Sequence, residues 1–167
     1  MFYLMLGYPG SGKTTASKFI HELTGAEHMW ADQERRKRFD SPTHSHDENI
    51  ILYDALNHKA QTLLEEGKSV IFDTNFSFYK DRQLMREIAA QTNSKAVLLW
   101  VRTPKELAKQ RATQNAHQQG TRILGDMPAN EFERMSNNIQ EPRQDEPYIE
   151  LDGTKLSKEY VAEKLGL

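Results

Sequence analysis

The chain has 167 residues, 37% apolar and 28% charged, with a formal net charge of −2 and no cysteine. That length suits a single domain over 1–167 with one sizeable core, and the charge balance excludes a net basic field for gripping a long polynucleotide, so a nucleic-acid partner would need a local patch. Disulfides, thiolate nucleophiles and Cys-type zinc sites are excluded too, and without a leader-like start or an apolar run of about 18 residues the expectation is a cytoplasmic protein with no membrane partner.

The opening run "FYLML" (Phe2–Leu6) reads as a buried strand. It leads into "GYPGSGKTT", where Gly7, Gly12, Lys13 and Thr14 match G-x-x-x-x-G-K-[ST]. In such a loop the glycines let backbone N–H groups curl around an anion that the N-terminus of the next helix also attracts. A helix over 12–24, with Ala16, Phe19, Ile20 and Leu23 on one side, completes the strand–loop–helix setting. Gly7, Tyr8, Pro9, Gly10, Ser11, Gly12, Lys13, Thr14 and Thr15 are therefore the expected ATP-binding residues. Lys13 would reach the β/γ-phosphates, and the Thr14 hydroxyl would ligate Mg²⁺.

A weaker strand, "EHMW", precedes "ADQERR", in which Asp32 and Arg35 share one face of a helix beginning there. A carboxylate in that place can act as base for an acceptor hydroxyl facing the γ-phosphate; a helix-capping Asp with a solvated Arg fits the same spacing. The run "ERRKR" (Glu34–Arg38) reads equally as a backbone-tracking patch or a solvated helix face. In "SPTHSHDEN" (Ser41–Asn49), His44 and His46 stand near Asp47 without matching a closed metal-ligand set, so a loop shaping the acceptor pocket is expected. Ser45 and Asp47 then cap a helix over 47–66 that Gly67 closes.

The third strand, "SVIFD", ends at Asp73, which can serve the metal through water. Thr74 stands where a hydrolase would carry its water-activating Glu, which weighs against hydrolysis as the main reaction. Phe76, Phe78 and Tyr79 are expected in the core rather than against a base, ahead of a helix over 79–92 in which Arg82, Arg86 and Glu87 read as an exposed or sheet-edge ion-pair set. After "KAVLLWV", Thr103-Pro104-Lys105-Glu106 predicts a helix over 104–118 with Thr103 as its N-cap and Pro104 in its first turn. Helices over 129–139 and 156–165 flank a last strand, "PYIEL". Strands alternating with helices predict a parallel sheet, with chemistry beyond its carboxyl ends: Gly7–Lys13, Asp32, Asp73–Asn75 and Arg102. A guanine-reading N-K-x-D element is missing, which argues against a GTPase switch.

The ordered set "GYPGSGKTT", "ADQERR", "FDTN", a Pro-started helix carrying Arg111, and "GTR...MP...M...EPRQDE" resembles the zeta-toxin and polynucleotide 5′-kinase group of P-loop kinases, most nearly the phage polynucleotide-kinase type, over 1–146. The resemblance implies a P-loop NTPase fold of the nucleotide-kinase type, with a five-stranded parallel sheet flanked by helices and a helical lid over about 104–140. By the same resemblance Asp32 is the general base and Arg35 holds the acceptor's phosphate or the base carboxylate. Asp73, Thr74 and Asn75 line the acceptor side and the water shell of the metal. Of the two lid arginines usual in such kinases, Arg111 supplies one; Asn115 stands a turn later, and Arg122 is the candidate for the second. The implied reaction carries the γ-phosphate of ATP, with Mg²⁺, to a hydroxyl, most nearly the 5′-hydroxyl of a polynucleotide or nucleotide-like molecule. Two alternatives stay open: a small-molecule kinase for a sugar, nucleoside or antibiotic, and a regulatory module that binds a nucleotide with little transfer.

Overall fold

A computed structural model describes residues 1–114, 120, 121 and 123–167. The central strand β1 (Phe2–Leu6) is followed by α1 (Lys13–Thr24), β2 (Glu27–Trp30), α2 (Ala31–Arg38), α3 (His46–Glu65), β3 (Val70–Asp73) and α4 (Tyr79–Gln91). Then come β4 (Ala96–Arg102), α5 (Lys105–Thr113), α6 (Ala129–Asn137), β5 (Tyr148–Asp152) and α7 (Lys158–Leu165). The five strands pair in parallel in the order β2-β3-β1-β4-β5, as the alternation of strands and helices predicts. The chain lays β2 and β3 on one side of β1 and then crosses to place β4 and β5 on the other, so the topological switch point, where such sheets open a crevice, lies at the carboxyl end of β1.

Because side chains alternate across a strand, each face of the sheet builds its own core. Phe2, Leu4 and Leu6 pack with Val70, Phe72 and the α3 stripe Leu52, Leu56, Ala60 and Leu64. Tyr3, Met5, Ile71 and Leu99 pack with Ala16 and Ile20 of α1 and Val161 of α7. Each fully buried Leu or Phe contributes about 1.5–3 kcal/mol. Both cores therefore anchor β1, and with it the loop that follows.

Helix boundaries follow the punctuation in the sequence with two exceptions. Ser45 caps α3, its side chain accepting from the Glu48 amide, and Gly67 closes the same helix with its amide on Leu64. Thr103 does not cap α5: Pro104 is the cap residue, and the buried Thr103 hydroxyl donates to the Ser11 carbonyl at 2.8 Å. The expected helix over 104–118 runs as α5 to Thr113, and 115–119, including Asn115, lies outside the described residues.

Arg82 and Arg86 are not the exposed or sheet-edge pair expected from the sequence. Arg82 is 0% exposed, and its guanidinium grips Glu146 through Nε at 2.8 Å and a terminal nitrogen at 2.7 Å. Its other terminal nitrogen donates to the carbonyls of Phe76 and Gln140, each at 3.0 Å. Arg86 reaches the same carboxylate at 2.6 Å. Burial raises the Glu146 carboxyl, but bonds from Arg82, Arg86 and the Arg143 amide overcome this and hold it at about 2. The clamp ties the segment after α6 to the start of α4.

Candidate active site

The loop between β1 and α1 is shaped before any ligand is considered. The Ser11 amide donates to the Tyr8 carbonyl at 3.0 Å, and the Lys13 ammonium curls back onto the carbonyls of Gly7, at 2.9 Å, and Tyr8, at 2.8 Å. Gly10 has φ +76°, and a Cβ there would stand 2.3 Å from the Ala108 carbonyl oxygen, so only glycine lets α5 lie directly on the loop. Gly153, after β5, is equally constrained: its Cβ would fall 2.0 Å from Thr103 Oγ1 and 2.2 Å from the Ser11 oxygen.

Lys13, Thr14 and Thr15 stand partly exposed in the first turn of α1. Ser11 Oγ and Asn75 Nδ2 are buried polar atoms with no hydrogen-bond partner, both beside this loop. A lysine within the loop, hydroxyls at the helix start and a close-packed glycine cradle form a donor set that fits a nucleoside triphosphate with Mg²⁺. A cleft of 560 Å³ opens beside Gly7 and Tyr8 on the Trp100 face, but Glu141, Glu150 and Asp152 in its lining do not suit a triphosphate.

The carboxyl ends of β2 and β3 bring the other expected residues to the same rim. Asp32, partly buried, is the second residue of α2. Asp73, 4% exposed, bonds His28 Nε2 at 2.9 Å. The Thr74 hydroxyl meets Tyr53 at 2.8 Å, and Asn75 Oδ1 accepts from the Gly7 amide at 3.3 Å. The last bond joins the phosphate loop to the β3 end directly.

Arg35 lies on the same helix as Asp32 but is not solvated, being 3% exposed. One terminal nitrogen pairs with Glu48, and the other donates to Asn49 Oδ1 at 2.6 Å. Glu48 also accepts from the amide and hydroxyl of Thr43. Burial works against its charge, but the Thr43 and Arg35 bonds win and hold the carboxyl at about 2. The rest of "ERRKR" is divided rather than forming a stripe: Arg36 donates to the Ile123 carbonyl at 3.1 Å, and Lys37 pairs with Glu34.

The helices expected to form a lid, α5 and α6, rest on the phosphate loop. Ala108, Ala112 and Phe132 form a small core with Met127 and with Tyr8 of the phosphate loop. Lys105 and Lys109 both pair with Glu133 at 2.7 Å, stapling α5 to α6. Arg111 donates to the Gly153 carbonyl at 3.2 Å, placing that cation beside the loop after β5. Arg122, the other candidate lid arginine, lies outside the described residues.

Tyr53, Glu48, Asn49 and His28 join this rim without having been singled out in the sequence. Ser45-x-x-Glu48 reads as a capping box, a signal that explains Glu48 locally and hides its bond to Arg35. Tyr53 stands one place after Leu52 in the apolar stripe, and that offset was the available hint that it faces elsewhere.

The AAA domain family model (AAA_33) matches residues 2–142. An uncharacterized protein of Mycobacterium tuberculosis is 32% identical over 106 residues, which cover 56% of this chain and 21% of that protein; the chain thus spans about a fifth of the length of the curated relatives it matches. Among solved structures, a putative kinase from Chloroflexus aurantiacus superposes with TM-score 0.78 at 18% identity, over 99% of this chain and 96% of that one. Chaetomium thermophilum Kti12 in complex with ADP-AlF3 gives TM-score 0.78 at 15% identity, over 99% and 96%. A chain of the Pnkp1/Rnl/Hen1 RNA repair complex gives 0.67 at 22% identity, over 83% and 43%. Among the described residues no helix is long and apolar enough to cross a membrane. With its five-stranded parallel sheet, its phosphate loop at the switch point and these likenesses, the chain has the P-loop NTPase fold of kinases and belongs to the AAA domain family.

Proposed function

We propose that this chain is an ATP-dependent phosphotransferase that delivers the γ-phosphate to a hydroxyl. The observation that carries the reading is the convergence on one rim of the Gly7–Thr15 loop, Asp32, and the Asp73–Asn75 segment, joined by the bond between the Gly7 amide and Asn75. Lys13 and the loop amides bind the β/γ-phosphates, as the helix N-terminus favours. Thr14 would hold Mg²⁺, with Asp73 reaching its water shell, and the ion would neutralise charge between the β- and γ-phosphates. Asp32 orients the acceptor hydroxyl and takes its proton. Arg111, with Arg122 as the second candidate, screens charge on the transferring group.

Two acceptors fit this chemistry. The 5′-hydroxyl of a polynucleotide or nucleotide-like molecule is supported by the ordered motifs of the polynucleotide-kinase group and by the likeness to a chain of an RNA repair complex. A small alcohol is supported by the division of the basic run among internal partners. The deciding experiment is ADP release from Mg²⁺-ATP, run with 5′-hydroxyl oligonucleotides beside nucleosides, sugars and aminoglycoside-like alcohols. Acceptor-dependent release is expected, and Asp32→Asn should keep ATP binding while lowering kcat by about 10²-fold or more. ATP binding with no acceptor-dependent release across the panel would refute the reading and favour a regulatory nucleotide-binding module.

A further inference from the structure

The hydroxyls of Tyr53 and Thr74 lie 2.8 Å apart between α3 and the end of β3, both on partly buried residues. In such a pair one O–H donates to the other, leaving a second proton and several lone pairs for a third group. The pair is neutral, and the Arg35 guanidinium lies close enough to address the Tyr53 oxygen as a donor. Burial pushes the Tyr53 phenol up, so it remains an O–H at ordinary pH, and its environment includes the charges of both Arg35 and Asp32. The hydroxyl pair thus belongs to the neighbourhood of the carboxylate that would meet the acceptor.

Several charged side chains around the pair are engaged within the protein, while Arg35 Nε is a buried donor with no hydrogen-bond partner. Arg35, the cation implied for an acceptor's phosphate, closes its terminal nitrogens on Glu48 and Asn49, and the bonds from Thr43 and Arg35 hold the Glu48 carboxyl well below the usual carboxylate range. One oxygen of Asp73 is bonded to His28. Freeing Arg35 would leave Glu48, 6% exposed, as an uncompensated buried charge, so an acceptor phosphate would have to replace a buried ion pair. A neutral hydroxyl needs no such exchange.

Resting on the phosphotransferase reading, we propose that the acceptor is a neutral polyhydroxylated molecule, and that the Tyr53–Thr74 hydroxyl pair reads a second hydroxyl beside the one presented to Asp32. Tyr53 is then a specificity-determining residue of the acceptor site.

The test measures ADP release by the full chain with Mg²⁺-ATP and three groups of acceptors: neutral polyols and aldoses, sugar acids such as gluconate, and 5′-hydroxyl oligonucleotides. The neutral group is expected to give the highest kcat/KM. Tyr53→Phe should raise the KM for the best neutral acceptor about tenfold, the worth of one neutral hydrogen bond, and leave the KM for ATP unchanged. Thr74→Val, which removes the other hydroxyl, should do the same and guards against misfolding of a single variant. An analogue of that acceptor lacking the second hydroxyl should erase the difference between the wild type and Tyr53→Phe. A higher kcat/KM for the sugar acid or the oligonucleotide overturns the inference while leaving the phosphotransferase reading intact; so does a Tyr53→Phe penalty that persists with the deoxy analogue. Bound ATP with no release from any group overturns both.

Discussion

Changing Glu146 to Gln keeps the shape of the side chain and removes only its charge. In the folded protein this leaves Arg82, 0% exposed, without its counter-ion, and turns one of the two oxygens that Arg82 and Arg86 share into an amide NH2 that cannot accept. Removing one partner of a buried pair costs about 3–5 kcal/mol. The proton linkage gives a second measure. The carboxyl is held at about 2, against an ordinary value of about 4.3, and a gap of about two units corresponds to about 3 kcal/mol. Because the folded value is depressed, this stability is fully present above about pH 4.3 and is lost as the pH falls toward about 2. For a domain of this size each kcal/mol shifts Tm by about 2–4 °C, so a loss of about 3–5 kcal/mol in Glu146→Gln should lower it by about 6–20 °C near neutral pH. Urea denaturation and thermal melts of both proteins at pH 7 and pH 3 would measure it, with a smaller gap expected at pH 3. A Glu146→Gln protein within 1 kcal/mol of wild type at pH 7 would refute the idea that this clamp holds the post-lid segment to α4.

Three further outcomes are expected. Gly10→Ala puts a methyl group 2.3 Å from the Ala108 carbonyl oxygen at φ +76°, so α5 must shift off the loop; a stability loss of about 1–3 kcal/mol should accompany a lower kcat, read by melts and ADP release. Thr103→Val removes the donor to the Ser11 carbonyl and should cost about 1–3 kcal/mol, with faster hydrogen exchange at Tyr8–Gly12 as the local signature. Asp32→Asn should separate ATP binding, measured by calorimetry, from turnover; equal kcat in the two proteins would remove Asp32 from its role as base.

The fold was legible because its determinants are local. Each strand is a short apolar run next to turn chemistry, and Gly12-Lys13-Thr14 names both a loop and the start of a helix. The rim of the site was legible where residues stand at or just past the carboxyl end of a strand, as Asp73 and Asp32 do. Arg82 and Glu146 are 64 residues apart, and an arginine on an amphipathic helix looks solvated until the distant carboxylate is placed. Thr103 carried a capping signature, but the Ser11 carbonyl, 92 residues away in sequence, claimed its hydroxyl. Arg35 was found by spacing; that it would be buried against Glu48 depended on how α3 docks beside α2.

The seat beneath the phosphate loop has a thermodynamic corollary. The Ser11 carbonyl is held by Thr103, at the end of β4, and packed against Gly153, beyond β5, while Lys13 ties the start of the loop from within. A loop held in this way loses its conformational freedom when the sheet forms rather than when a nucleotide arrives. Nucleotide affinity should therefore track the integrity of the β4–β5 edge, and substitutions that loosen that edge should weaken ATP chiefly through an entropic loss visible in the temperature dependence of binding.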